Sequence, residues 1–347
     1  MPFEPPADPH HARRNVIWRW VSFAMALAVV LLVVYLGWVG YTGSQLFAAN
    51  DRAGDCRTPA SAFGWTYEAI NYPISSDDAL TSFADRRKCA NQGEAAGDAV
   101  QAGDGTRIAG WYIPSGSQAG PTAATVVLAH AEGANKSVML DWATLLHADY
   151  NLVLLDFGNH GQSSGEVTTM GVREAGQLRT IVDWLVESKQ PTSIALLGVS
   201  MGGAAAINEA AGDTRISAVI LDSTHSTLAN ALQARLDRDG YPLSLPGAWS
   251  ILLGGLLRTG EDMSSADPVQ AIARYRDRPV LIVTAGSDRA IGPSDASDLL
   301  AAAQQNGNGA ELDTCAAAGH AESITACPTE YAGWLRSFLG RTLQHPS

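Results

Sequence analysis

Lysine is nearly missing from this chain: of its 23 Lys and Arg residues, only Lys88, Lys136 and Lys189 are lysines. No basic run is longer than the three residues Arg86-Arg87-Lys88, and the 35 Asp and Glu residues leave a formal net charge of −12. This acidic balance argues against nucleic acid as the main partner. Cysteine is scarce too, with four in 347 residues at spacings too wide for a C-x-x-C redox or zinc motif. Charged residues make up only 17% of the chain against 46% hydrophobic ones, a globular rather than a disordered balance. The length suits one large α/β domain or two small ones.

Charge is absent altogether from Trp20 to Asn50. Within that stretch Val21–Val39 is apolar but for Ser22, and as a helix it would span about 30 Å, the thickness of a bilayer's hydrocarbon core. Trp18 and Trp20 stand at one edge, and Tyr35, Trp38 and Tyr41 at the other, as aromatic residues do at the two membrane interfaces. Arg13, Arg14 and Arg19 precede the run, so the positive-inside rule predicts a single-pass protein of the cell membrane. Residues 1–20 form its cytoplasmic tail, 21–41 its signal anchor and 42–57 an extracytoplasmic linker, and the lipid bilayer is one expected partner. The competing reading is a cleaved signal peptide. Its apolar region would usually be shorter, about 7–15 residues, and would end in an A-x-A-like site, whereas Phe47-Ala48-Ala49 has a large residue at the −3 position.

Cys56, Cys89, Cys315 and Cys327 all fall on the exported side, where an even count favours disulfides. Four cysteines allow three pairings; the expectation is the local one, Cys56–Cys89 and Cys315–Cys327. Buried thiols are the alternative.

Apolar runs of strand length alternate with helix-length stretches from residue 108 onward. Ile108–Ile113, Thr125–Ala129, Asn151–Asp156, Ser193–Gly198, Ala218–Asp222 and Pro279–Ala285 read as strands. Lys136–His147, Val172–Glu187, Met201–Ala211 and a last helix around Tyr331–Leu339 read as helices. Continuous apolar strands separated by helices predict an α/β fold with a mostly parallel sheet covered on both faces. Residues 223–278 interrupt the alternation and are a possible cap.

Between one such strand and an alanine-rich helix stands Gly198-Val199-Ser200-Met201-Gly202, a G-x-S-x-G nucleophile elbow in its required context. The acid and the histidine should follow in that order. Asp288 lies just past the strand Pro279–Ala285, and His320 precedes the last helix. Serine is a weak nucleophile at neutral pH, so it needs a neutral imidazole to accept its proton and a carboxylate to orient that ring. Asp222 is the competing acid at a strand end. His130, His160 and His225 are competing histidines, but each precedes Asp288 in the chain.

With these features the sequence resembles the α/β-hydrolase fold superfamily, and within it the serine-aminopeptidase-like and monoacylglycerol-lipase-like branch. The resemblance runs from about Ala99 to Leu339. It includes Asp104-Gly105, Gly110-Trp111-Tyr112-Ile113-Pro114, His130-Ala131-Glu132-Gly133-Ala134-Asn135 and the run from Asp156 to Gly165. It implies a hydrolase domain over 58–343, with Thr58–Glu68 as a lead-in strand and 74–97 as an insertion. It also implies oxyanion donors at the backbone N–H groups of Met201 and Glu132, although Ala131 and Glu132 stand where the family usually has other residues. The expected function is a serine hydrolase cleaving carboxylic esters of small molecules, with no metal and no organic cofactor. A peptidase acting on short peptides through the same three residues, and a non-catalytic binding protein on the same fold, are the alternatives.

Overall fold

In the computed structural model the described residues are 9–48, 56–70, 97–117, 123–305, 307 and 309–343. Cys89 and residues 74–96 of the expected insertion lie outside them. The apolar runs form the strands of one sheet: β1 (Glu68–Ile70), β2 (Val100–Gln101), β3 (Arg107–Ile113), β4 (Thr125–Ala129), β5 (Asn151–Asp156), β6 (Ile194–Val199), β7 (Ile216–Asp222), β8 (Val280–Ala285) and β9 (Ala310–Cys315). Their order is β1-β3-β5-β4-β6-β7-β8-β9, with β2 paired to β3 beside this path. Every pair from β5 to β9 is parallel, and the pairings of β1, β2 and β5 with β3 are antiparallel.

Alternate residues of the central strands enter two separate cores, because successive side chains of a strand point to opposite faces. Val127, Leu155, Leu196 and Leu221 pack under the helices Val172–Ser188, Met201–Ala210 and Asp295–Gln304. Val126, Leu154, Leu197 and Ile220 pack against Leu140–Leu146 and Pro328–Leu343. Both faces are thereby dry, which explains why β4 to β7 read as unbroken apolar runs.

Two local readings change. The segment expected to lead in as a strand over Thr58–Glu68 instead forms a short helix, Pro59–Phe63. Thr58 and Ser61 cap each other's backbone N–H groups, Pro59 supplies the fixed first turn, and Gly64 ends the helix at φ 68°. Local capping therefore outweighs any strand preference until Glu68. At residue 136 the chain makes turns rather than helix until Leu140, since Asn135 Oδ1 accepts from the N–H of Ser137 and Val138.

Residues 223–278 hold the helices Leu228–Arg238, Ser244–Thr259 and Pro268–Ile272. Leu232, Leu236, Ile251 and Leu252 from the first two share a small core with Val39 and Phe47. The last two belong to the N-terminal helix Pro9–Gly43 and the 3-10 turn Ser44–Phe47 that follows it. Within the segment expected as a linker, Phe47 is thus fully buried, and its carbonyl accepts from the Thr168 N–H at 3.2 Å. Among the described residues one helical span, Trp18–Phe47, is long and apolar enough to cross a membrane.

Candidate functional site

The sheet reverses its order of strand addition at β4, with β5 on one side and β6 on the other. In such sheets the loops at the carboxyl ends of the strands flanking this switch form the ligand crevice. Ser200 leaves β6 there at φ 53° and ψ −116°, a backbone conformation that non-glycine residues rarely adopt and that is characteristic of a nucleophile elbow. The turn is jammed. A Cβ on Gly198 would strike the backbone of Gly202 and Gly203, and one on Gly202 would strike the carbonyls of Ala129 and His130 at the end of β4. Glycine is therefore required at both positions, and the elbow rests directly on the loop that carries Glu132.

Three residues separated by 120 and 32 positions meet at this turn. Ser200 Oγ lies 2.9 Å from His320 Nε2, and His320 Nδ1 lies 2.8 Å from Asp288 Oδ2. The other carboxylate oxygen of Asp288 accepts from the N–H groups of Ala290 and Ile291, at 2.7 and 3.2 Å, which leaves Oδ2 aimed at the ring. The helix Met201–Ala210 begins directly after Ser200, so its first turn directs orphan N–H groups toward the site.

The His320 loop is braced from two sides. Cys315 at the end of β9 and Cys327 ahead of the last helix form a disulfide that encloses it. On the other flank the Ala321 N–H donates to Ser223 Oγ at 3.1 Å, and Ser223 in turn donates to Asp222 Oδ1 at 3.0 Å. Tyr331 donates to the second oxygen of Asp222 at 2.7 Å, and Trp142 Nε1 donates to the Tyr331 hydroxyl at 2.8 Å. Burial pushes the Asp222 carboxyl up to about 6, against the opposing effect of these hydrogen bonds and of His320. Cys56 is also disulfide-bonded, and no free cysteine occurs among the described residues.

The competing histidines occupy other stations. His130 Nε2 accepts from the Phe157 N–H at 3.0 Å, and its Nδ1 donates to the Ala131 carbonyl at 2.7 Å. Complete burial, then the neighbouring His160, pushes His130 down to about 3, so it holds the Glu132 loop as a neutral ring. His160 Nε2 accepts from the Gly133 N–H at 3.1 Å. His225 is buried and pushed down to about 4 by burial, then by His320.

One element of the site escaped sequence reasoning. Lys136 Nζ lies 2.6 Å from Asp156 Oδ2, both side chains almost wholly buried, and a second oxygen of Asp156 accepts from the Lys136 N–H. Burial alone would raise the Asp156 carboxyl, but Lys136 and His130 hold it below the usual carboxylate range. This ion pair ties the loop after β4 to the loop after β5. A signal existed: Lys136 is one of only three lysines and the one charged residue between Glu132 and Asp141.

Fold, strand order and elbow together define an α/β-hydrolase-fold protein, and residues 124–278 match the family model of the alpha/beta hydrolase fold. Several known proteins are similar to this chain. It is 32% identical over 146 residues to the uncharacterized protein YfhR of Escherichia coli K12, a match covering 40% of this chain and 51% of that protein. It is 26% identical over 187 residues to protein bem46 of Schizosaccharomyces pombe, covering 52% of this chain and 57% of that one. The chain thus spans about half the length of these curated relatives. The esterase Pf2001 of Pyrococcus furiosus shares the fold with a TM-score of 0.65 at 19% identity, over 86% of this chain and 98% of the esterase.

Proposed function

We propose that the chain is a serine hydrolase acting on carboxylic esters, with Ser200 as nucleophile, His320 as general base and acid, and Asp288 as the orienting carboxylate. The observation that carries this reading is the unbroken chain of hydrogen bonds from Ser200 Oγ through His320 to Asp288. As Ser200 Oγ attacks the ester carbonyl, its proton passes to His320 Nε2, and Asp288 stabilises the imidazolium through the Nδ1–H. The N–H groups of Met201 and Glu132 receive the developing oxyanion, each such donor typically contributing on the order of 3 kcal/mol. His320 then returns the proton to the departing alcohol, leaving an acyl-enzyme. A water activated by the same ring releases the acid and restores Ser200. The N-terminal helix holds this domain to the outer face of the cell membrane, with residues 1–20 in the cytoplasm.

A fluorophosphonate probe tests the chemistry, because only a serine made nucleophilic by its base is labelled. The full-length protein should be labelled and Ser200→Ala should not. Esters of graded acyl length and short peptides offered side by side then identify the bond cleaved. Labelling that survived Ser200→Ala would overturn the assignment.

A further inference from the structure

The helix Ser244–Thr259 and the end of the N-terminal helix are packed in parallel through glycine. Tyr35 donates to the Pro242 carbonyl at 2.6 Å, a Cβ on Gly40 would strike the Ser250 carbonyl, and one on Gly255 would strike the Phe47 ring. As one helix advances from 35 to 47, its neighbour advances from 242 to 255. Small residues that let two backbones approach this closely are typical of helix pairs in membranes.

The outward face of Ser244–Thr259 is apolar and uncovered. Leu245, Trp249, Leu253, Leu256 and Leu257 recur at helical spacing, with Trp249 52% and Leu257 80% exposed. No charge occurs from Tyr241 to Leu257, and Asp239 and Arg258 bound the run. Tyr241 lies 6.2 Å from Trp38, and the Arg258 guanidinium lies 6.0 Å above the Tyr41 ring. An aromatic belt closed by a cation continues from one helix onto the other, as expected at a membrane interface. The 30 residues Trp18–Phe47 rise about 45 Å, enough for the hydrocarbon core plus both headgroup layers. That puts residues 39–47, and the helix alongside them, in the outer headgroup layer.

We infer that Ser244–Thr259 is a second membrane element, its Leu245–Trp249–Leu253 face seated in the outer leaflet beside the anchor. The inference rests on the N-terminal helix crossing the bilayer, as proposed above. Its occupant is lipid, because this face continues the exposed apolar surface of that helix. The consequence is a catalytic domain held at a fixed height: Arg238, ending the preceding helix, donates to the Arg289 carbonyl next to Asp288, so the seated helix pair adjoins the candidate site.

Photo-cross-linking of the full chain in vesicles of phosphatidylcholine and phosphatidylglycerol tests this. Benzoylphenylalanine replaces Leu31, Trp249, Leu253 or, on the far side of the domain, Val186, one at a time. Lipid adducts are expected at Leu31, Trp249 and Leu253, each at least about tenfold above Val186. Adducts at Leu31 alone would overturn the inference and leave the anchor standing. Cross-links from Trp249 or Leu253 to a second copy of the chain would overturn it in favour of self-association. Absence of adducts at Leu31 would remove the anchor and the inference with it.

Discussion

The ends of β7 and β8 each carry a carboxylate beside the same histidine, in opposite circumstances. Asp288, past the end of β8, has one oxygen fixed by two backbone N–H groups and the other bonded to the His320 ring. Asp222, the last residue of β7, is fully buried, and its two oxygens are taken by Ser223 and Tyr331. It makes no hydrogen bond to the His320 ring and is linked to the histidine loop through Ser223 and the Ala321 N–H. At Asp288 two backbone donors fix one oxygen and leave the other aimed at the imidazole ring, the arrangement that the proposed mechanism uses. A carboxylate satisfied by neutral hydroxyls in a dry site is held part way to its proton and suits a structural role. Under the proposed function the two strand ends divide the labour, with Asp288 orienting the ring and Asp222 supporting its loop.

Exchanging oxygen for amide nitrogen at each position should separate the two roles most sharply. Asp288→Asn is expected to lower kcat on the order of 10^3–10^4-fold, because the amide cannot stabilise the imidazolium and favours the wrong tautomer. Its unfolding free energy should change little. Asp222→Asn should leave kcat within about tenfold, because the support acts through Ser223 and the backbone. Steady-state kinetics on a short soluble ester, with urea denaturation of both variants, checks the pair. Comparable losses of kcat in the two would break the distinction.

The covalent brace supplies the next largest effect. Cys315 and Cys327 are 12 positions apart, and closing a loop of that size is worth about 3 kcal/mol in the chain-entropy account. The double variant Cys315→Ser/Cys327→Ser should lose about that much stability in urea denaturation. Its kcat at 25 °C should stay within about threefold, since Ser223 still holds Ala321 and the Ser287 N–H still donates to the Ala318 carbonyl at 2.9 Å. A much larger fall in kcat would mean that the disulfide, and not the Asp222 side, positions His320.

These two flanks were unequally visible in the sequence. Strands β4 to β8 could be read because both of their faces are dry and their central residues are apolar, with polar residues mostly at the strand ends. β9 could not: Ala310–Cys315 lies at the sheet edge, where Glu311 and Asp313 break the apolar run. The elbow was legible because steric crowding admits only glycine at Gly198 and Gly202. The ordering of Ser200, Asp288 and His320 followed from the order in which the chain visits strand ends. Tyr331 and Trp142, by contrast, lie 189 positions apart and meet only through packing of their helices, so nothing local marked them as partners of Asp222. The same holds for the close approach of Gly40 and Gly254, in which each residue alone reads as an ordinary helical glycine.

The last expected effect is the most specific to the β7 end, because it concerns the sign of a pH dependence. Asp222 titrates near 3.8 as an ordinary aspartate and at about 6 in the folded protein. Between these values the folded state keeps a proton that the unfolded state has released. Stability therefore falls as pH rises from about 4 through 6, and the whole penalty is present above 6. A shift of this size corresponds to about 3 kcal/mol, an upper bound because hydrogen bonds and relaxation share it. An asparagine side chain in the same place has no proton to lose. Relative to the parent, Asp222→Asn should therefore become more favourable between pH 4 and pH 7.5, by up to about 3 kcal/mol. Urea denaturation of the two proteins at both pH values reads the difference directly. A relative stability that moved the other way would mean that Asp222 is ionised and stabilised in place, and would remove the contrast between the two strand ends.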